Sequence, residues 1–527
     1  MPNESGSILP LLVVVIPAAA GLLIFLLGRL GGPLREVLAV LGSAGALAFS
    51  VLVGLSATGG HTLTSLGKQF YADSLSALLI VLVSAIGLLA TVYSLRYMRH
   101  QVQDSGLPHT TTTGRLRAFY GWLMLFIATM LWACLSNNII MLYVAIEAST
   151  IASGLLVGFY WDKRALEAGY KYLMLLTVGI TFSLFGCVMV YAAAANIPGG
   201  RSGLLLSDLR SVAGLFPATT VALASAFLIV GFGTKAGIAP FHPWLPDAHA
   251  EAPTPVSALL SGVMLKVAIY AMVRTVSMFY PNFPPVAMFA LALGVFTLVL
   301  GDLMALAQDD LKRMLAYSSV SQMGYVLMGF GIGTQLGIYA GLFHLLNHAL
   351  AKSLLFFAAG AVIYSTGARA ISDLGGLAKK MPVTSFCFFV GALAISGMPP
   401  FNGFQSKLAL FVAGASAGHW WAVIFGMAGS LITLVVLAKA AKAVFWGKMS
   451  DQVAGAGVRE APLTICATMV ILAALCLGIG IYPKSVYVPL KAASAAVQTV
   501  RTTLPNLVAH GHQATYARFP SPAGSPR

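Results

Sequence analysis

The chain has 527 residues, of which 58% are hydrophobic and only 9% charged, against roughly 25% charged in an ordinary soluble domain. That balance excludes a soluble enzyme or binding module and points to a membrane protein. A net charge of +15 would suit a nucleic-acid binder only if the basic residues shared one exposed face, and their distribution follows membrane sidedness instead.

Apolar runs of about 18–25 residues recur along nearly the whole chain, each long enough to cross the hydrocarbon core as a helix. They predict an all-α, polytopic membrane protein with about fourteen transmembrane helices, starting near residues 9, 35, 72, 116, 136, 170, 216, 253, 283, 312, 338, 384, 419 and 461. The first is expected to remain as a span, because its leader carries Glu4 and no basic residue, unlike a cleaved signal peptide. Cys134, Cys187, Cys387, Cys466 and Cys476 fall in separate apolar helices without CxxC spacing. No disulfide framework, cysteine metal site or redox cofactor is therefore expected on this chain.

Two spans are predicted to be broken. In the seventh, Gly231, Gly233 and Gly237 loosen the helix, and Pro240, Pro243 and Pro246 remove backbone donors; in the twelfth, Gly397, Pro399, Pro400 and Gly403 precede Lys407. Interrupted helices are tolerated at membrane depth only where protein or a watery cavity satisfies the freed backbone groups. Each break lies close to a buried lysine, and this pairing predicts an internal repeat. Residues 1–115 form an N-terminal three-helix region, 116–275 a first five-helix repeat, and 276–450 a second. Because five is odd, the second must be inverted. A last transmembrane helix occupies 451–485. The tail, 486–527, carries an amphipathic segment (Leu490, Ala493, Val497, Val500) and is then expected to be disordered.

With the N-terminus outside, the loops after odd-numbered spans gather basic residues such as Arg96, Arg99, Arg115, Arg117, Lys163, Arg164, Lys312, Arg313, Lys379 and Lys380. The opposite loops hold Lys68, Arg201, Arg210 and Arg274. The positive-inside rule thus places both termini on the periplasmic side of a cell inner membrane. It also leaves Lys235, Lys266, Lys352 and Lys407 inside spans, where each charge costs about 2.5–3.5 kcal/mol even on the lenient insertion scale. Glu147 is the one acid expected deep in a span, with Asp302 near a helix end.

These charges read as an ion path. Glu147 has no basic partner on its own span, so Lys235 on the broken seventh helix is its natural counter-charge. Lys266 follows on the eighth span. His344, His348 and Lys352 stand four residues apart on one face of the eleventh, beside Asn347, and histidine relays protons near neutral pH. Lys407 closes the row. Plainer readings exist: a lysine near a helix end snorkels to the interface, and the His344–His348 spacing suits a metal. No acid stands between the two histidines as HExxH requires, and no metal site is expected. GASAG (414–418) matches G-x-S-x-G formally but lacks the strand-turn-helix context.

At this point the residues resemble a family. KAGIAPFHPWLPDAHAEAPTPVSALLSGVMLKVAIY (235–270), DDLKRMLAYSSVSQMGYVLMG (309–329), FHLLNHALAKSLLFFAAG (343–360) and GMPPFNGFQSKLALF (397–411) look like the signature of the antiporter-like subunits of respiratory complex I and its relatives. AIEASTIASGLLVGFYWDKRALEAGYKYL (145–173) is most similar to the ion-pumping subunits of group 4 energy-converting hydrogenases. The resemblance implies two inverted five-helix repeats and a role for each charged residue: Glu147 and Lys235 as a charge pair, Lys266 as the central lysine, His344, His348 and Lys352 as the relay, and Lys407 as the exit. It also implies a subunit that moves protons, or alternatively sodium, within a larger redox-driven complex, the energy arriving from partner subunits. Two alternatives stay open, a subunit of a multi-subunit sodium/proton antiporter and a proton-coupled partner of a zinc carbonic-anhydrase-like protein in carbon uptake. A purely structural scaffold is disfavoured by the cost of its charges.

Overall fold

The computed structural model describes residues 3–28, 31–103, 109–197, 203–448 and 457–498, with 450 and 454. Three helices open the chain: α1 (Leu9–Leu27), α2 (Gly32–Thr58) and α3 (Ser74–Gln103). They are followed by α4 (His109–Leu135), α5 (Ile139–Val157), α6 (Lys163–Ala195), the short α7 (Leu206–Val212) and α8 (Ala218–Ala236). A break separates α8 from α9 (Trp244–Glu251). Then α10 (Thr254–Leu259) passes through a π-helical turn, Leu260–Met264, into α11 (Leu265–Val276). Next come α12 (Pro284–Leu306), α13 (Leu311–Gly331) and α14 (Gln335–Thr366). A second break divides α15 (Pro382–Ser396) from α16 (Asn402–Ser416), and α17 (Trp420–Ala441), α18 (Leu463–Ile481) and α19 (Tyr487–Gln498) complete the fold.

Among the described residues, twelve helices are long and apolar enough to cross a membrane. The other two of the fourteen predicted spans are α13 and the divided α15–α16. The polarity of α13 has a physical reason: Ser318, Ser319, Ser321 and Gln322 are buried by neighbouring helices, so the helix needs no apolar face toward lipid. Burial ranks the helices similarly. Every residue from 254 to 279 is buried, whereas α1 and α2 expose Leu22, Leu26, Leu41 and Leu55 at the rim. The helices that carry Lys266, His344, His348 and Lys352 are therefore the axis of the bundle.

Local sequence starts the helices where expected. The Asn138 side chain accepts from the amides of Ile140 (2.9 Å) and Met141 (3.2 Å) to cap α5, Asp310 accepts from Lys312 (2.9 Å) and Arg313 (3.0 Å) to cap α13, and Thr334 caps α14. One departure from an all-helical fold is a small sheet. Strand β1 (Asn3–Gly6) pairs in parallel with β2 (His61–Ser65), and β2 runs antiparallel to β3 (Phe70–Ala72). Strands of three to five residues between long spans leave no readable alternation.

Burial corrects three sequence readings. Arg274, expected in an outer loop, is buried on α11 and forms a two-pronged ion pair with Asp73, whose carboxylate also caps α3 through the Leu75 and Ser76 amides. Lys312, expected at a cytoplasmic loop, is buried and donates to the carbonyls of Ala250 (3.1 Å) and Ala252 (2.5 Å) at the end of α9. Gly231 does not loosen α8: a side chain there would meet Ser183 backbone and side-chain atoms of α6 at 2.3–2.7 Å, so it permits close helix packing. The amphipathic tail segment docks as α19, burying Leu490, Ala493 and Val497, and Arg210 caps it by donating to Ala496 O (3.0 Å) and Val497 O (2.8 Å). Val500 and the tail expected to be disordered lie outside the described residues.

The tightest helix crossing joins α12 and α13. Side chains at Gly301 and Gly324 would strike Ser321 N and Leu298 N at 2.4 Å, and one at Gly331 would strike Leu291 N at 2.3 Å. Backbone meets backbone there, which presses the polar face of α13 against α12. Gly324→Val is expected to cost about 1–3 kcal/mol through overpacking against atoms that cannot move aside, lowering the thermal midpoint of the detergent-solubilised protein. An unchanged midpoint would show that the two helices can separate freely.

Candidate functional site

The first break begins at Gly237, whose φ of 74° is left-handed and ends α8; the Gly237 amide donates to Thr234 O (3.2 Å) and that of Ile238 to Gly233 O (2.9 Å). The second repeats this arrangement: Gly397 has φ 84°, its amide donates to Ala394 O (3.2 Å), and that of Met398 donates to Leu393 O (3.1 Å). Pro240 and Pro243 follow the first stop, Pro243 immediately before α9, and Pro399 and Pro400 follow the second. Freed backbone groups find partners in both. Trp244 Nε1 donates to Thr234 O (2.8 Å), and the Ala239 amide donates to Thr297 Oγ1 of α12 (3.1 Å). At the second break, Asn347 of α14 donates to Asn402 O (2.8 Å), while the Asn402 side-chain amide donates to Asn347 Oδ1 (3.1 Å). These freed backbone groups are thus met by protein, while Pro240, Pro243, Met398, Pro399 and Pro400, which have exposed surface, present mainly apolar atoms.

Lys235 lies two residues before Gly237, at the end of α8, and is fully buried. Its ammonium donates to Ile146 O (2.8 Å), Ser149 Oγ (2.7 Å) and Thr150 Oγ1 (2.6 Å), all from α5. These three acceptors match the three N–H bonds of an ammonium and lie on one helix face. The direct Glu147–Lys235 pair expected from the sequence is not formed here. Glu147 points to the α6 side, where Oε1 accepts from Thr177 Oγ1 (3.3 Å), and Oε2 has no hydrogen-bond partner among the described residues. The reason is competition: in a dry interior, three short hydroxyl and carbonyl contacts solvate the cation without the second desolvation that a contact pair requires. Ser149 and Thr150 escaped sequence reading because hydroxyls in an apolar helix commonly bond their own backbone, as both also do to Ile146 O.

Lys266 sits just after the π-helical turn and donates back to Ser261 O, while Ser261 Oγ pairs with Ser319 Oγ of α13 at 2.8 Å. Lys352 donates to Leu315 O (2.9 Å). His344 is held at both ring nitrogens, with Ser406 Oγ of α16 at 3.0 Å from Nδ1 and Gln322 Oε1 of α13 at 3.1 Å from Nε2. Its ring centroid lies 6.5 Å from that of His348, whose ring nitrogens have no partner among the described residues. Lys407 donates to Ser396 O (3.4 Å) across the second break and stands 4.6 Å from the centroid of the Tyr325 ring. Lys266, Lys352, His344, His348 and Lys407 therefore occupy one buried polar seam formed by α11, α13, α14 and α16.

Two residues outside the sequence reading join this seam. His249 on α9 is buried, stacks on Phe356 of α14 (4.9 Å between centroids), and its ring nitrogens have no partner among the described residues. Its location just after a broken helix was the available signal. Asp302, expected near a helix end, is wholly buried. At one end of the bundle, Arg313 pairs with Asp247 (2.7 Å) and Arg369 with Glu251 (2.9 Å), and these residues line a cavity of 330 Å³ together with Arg164, Glu167 and Lys171. This charged mouth lies beside α9, on the side of the molecule where the basic loops gather.

Against families of known proteins, residues 136–433 match the model described as "NADH:quinone oxidoreductase/Mrp antiporter, TM". The chain belongs to that family. The matched segment contains every residue of the seam, and residues 63–108 match the N-terminus of complex I chain 5. A relative from Methylacidiphilum infernorum, "Hydrogenase-4 component F homolog", is 37% identical over 346 residues, covering 65% of this chain and 71% of the relative. "NADH-quinone oxidoreductase subunit N" of Desulforudis audaxviator is 34% identical over 492 residues, covering 90% of this chain and 94% of that protein. Among solved structures, the membrane-bound sulfane sulfur reductase, an archaeal respiratory membrane complex, contains a chain with a TM-score of 0.82 and 26% identity, covering 94% of this chain and 98% of its own. The protein is thus a multi-pass, antiporter-like subunit of a membrane complex that translocates protons or sodium.

Removing the hydroxyls around Lys235 tests the geometry. Losing a hydrogen bond to a charged group costs about 1.5–3 kcal/mol. Ser149→Ala is expected to slow ion translocation about ten-fold and the Ser149→Ala/Thr150→Val pair further still, with normal assembly on native gels. Undiminished ion uptake by the double variant would show that these hydroxyls do not serve Lys235 during turnover.

Proposed function

We propose that this subunit moves protons within a redox-driven complex of the complex I or membrane-bound hydrogenase type in the cell inner membrane, with both termini periplasmic. The observation that carries the reading is the buried seam itself: four lysines and the histidines between them, each fully buried. Such a concentration of buried cations is costly in a membrane and unexplained by packing. In the proposed cycle, a charge change in a partner draws the Lys235 ammonium from Ser149 and Thr150 toward Glu147. Glu147, one residue after Ile146 on α5, is close enough to act on the Lys235 charge, although it faces α6 in this arrangement. The proton then advances along Lys266, His344, His348 and Lys352 toward Lys407. Moving one charge against about 100 mV requires about 2.3 kcal/mol, and in this reading a partner subunit supplies it.

The two-repeat organisation belongs to the same proposal. Gly237-Ile238-Ala239-Pro240-Phe241 and Gly397-Met398-Pro399-Pro400-Phe401 end their helices with the same hydrogen bonds, supporting repeats at 116–275 and 276–450 flanked by residues 1–115 and 451–485. The gathering of Arg164, Lys171, Arg313 and Arg369 at one mouth supports a cytoplasmic face there.

Antiport without electron transfer is the second reading, favoured by the Mrp half of the matching family description. Mild-detergent isolation from native membranes, with mass spectrometry of everything retained, separates the two. Nickel–iron or iron–sulfur subunits are expected; only small membrane subunits would establish antiport, and a zinc carbonic-anhydrase-like partner would establish carbon uptake. In the isolated complex, Lys235→Ala and Glu147→Ala should each reduce coupled ion uptake at least ten-fold while leaving assembly intact. Normal pumping by both would defeat the proposed cycle.

A further inference from the structure

Asp302 projects from α12 into the crossing with α13 and α17 and is fully buried. Its Oδ1 accepts from Thr433 Oγ1 of α17 (2.9 Å), and Thr433 Oγ1 in turn accepts from Gln322 Nε2 (3.4 Å). The other end of that amide, Gln322 Oε1, meets His344 Nε2, and His344 Nδ1 meets Ser406 on the broken helix one residue before Lys407. A continuous hydrogen-bonded chain thus links Asp302, Thr433, Gln322, His344 and Ser406.

The second oxygen is placed differently. Asp302 Oδ2 makes no hydrogen bond of full geometry among the described residues; the buried Ser321 hydroxyl, which has no other partner among them, interacts with the carboxylate. A side chain at Gly429 of α17 would meet Oδ2 at 2.8 Å and the Tyr325 hydroxyl at 3.0 Å, so the glycine leaves space between the two oxygens. Tyr325 carries the Lys407 ammonium on its ring face and donates its own hydroxyl to Gly426 O (2.5 Å). Among the described residues, no arginine or lysine lies within ion-pair distance of Asp302. A structural carboxylate at this depth would be expected to have both oxygens saturated or to contact a cation. Here one oxygen is anchored by Thr433, and the other, with only the Ser321 hydroxyl near it and no cation in contact, can take up and release a proton.

We propose that Asp302 is a proton-carrying residue of the pathway and the acidic counterpart of Lys407, as Glu147 is of Lys235. The inference rests on the ion-translocation reading. The Lys407 ammonium gives up a proton and Asp302 Oδ2 receives one, so two opposite charges become two neutral groups and the exit end of the seam is discharged in a single exchange. The Thr433–Gln322 bridge positions Asp302 and couples its state to the orientation of His344.

The test uses the complex isolated through this chain, reconstituted in liposomes and supplied with its own driving reaction. Asp302→Asn keeps the shape and the Thr433 contact but cannot titrate; at least a ten-fold loss of ion uptake is expected, with Asp302→Glu recovering most of it. An infrared carbonyl band of a buried protonated carboxyl is expected in the native complex and absent from Asp302→Asn. Thr433→Val, which removes only the bridge, should slow uptake several-fold and carries the test if the Asn variant does not assemble. Native uptake in an assembled Asp302→Asn complex, or in Thr433→Val when the former does not assemble, overturns the inference, provided that Lys235→Ala is inactive. If Lys235→Ala is also fully active, the ion-path reading fails with it.

Discussion

An ammonium held away from water must be given oxygen by the protein, and this requirement organises the whole bundle. Lys235 takes three oxygens from α5, Lys266 and Lys352 each take a carbonyl, and Lys407 takes a carbonyl with an aromatic face. A helical carbonyl keeps a second lone pair, and Lys235 and Lys352 use Ile146 O and Leu315 O of regular helices in this way. Further carbonyls become available at breaks and π turns. Lys407 uses Ser396 O at the edge of the second break, and Lys266 uses Ser261 O inside the π-helical turn. Interruptions that look like weaknesses in the sequence therefore supply the oxygen for two of the buried cations, Lys266 and Lys407.

The same requirement explains how the seam can respond to a partner. Hydroxyl and carbonyl contacts solvate an ammonium almost as well as a carboxylate does, and they carry no net charge to bind it irreversibly. In the proposed cycle Lys235 exchanges the arrangement on Ser149 and Thr150 for one toward Glu147. A modest change in field decides between such states where the medium is dry, because Coulomb energies grow as the dielectric falls. Contact between helices conveys the change: the glycine-lined crossing of α12 and α13 holds Asp302, Ser321 and Gln322 in fixed relation, and Gln322 reaches His344. A rigid crossing beside mobile side chains lets charge move without the bundle repacking.

How much of this could be read beforehand differs from residue to residue. The spans were legible because an uninterrupted apolar run has one stable solution in lipid, and even α13 was found, although its serines lower its hydropathy. The breaks were legible because Gly and Pro act locally. Arg274 and Lys312 were misplaced because a basic residue at a helix end has the same sequence signature whether it meets water or turns inward to Asp73 or to the end of α9. The three short strands were illegible because runs of three to five residues show no readable alternation and β1 finds its partner β2 beyond two whole spans.

What the sequence by itself determined is the set of elements and the set of anomalous charges: helix is the only backbone form that a single apolar run can take in a membrane, and a lysine within it is conspicuous wherever it points. What only the tertiary structure decided is which oxygens each charge meets. Ser149 and Thr150 became ligands of Lys235, Thr433 and Gln322 joined Asp302 to His344, and Glu147 was left free of its expected partner. Those choices depend on helix rotation and crossing distance, which are set by side-chain packing between elements far apart in the chain and have no local trace in the residues themselves.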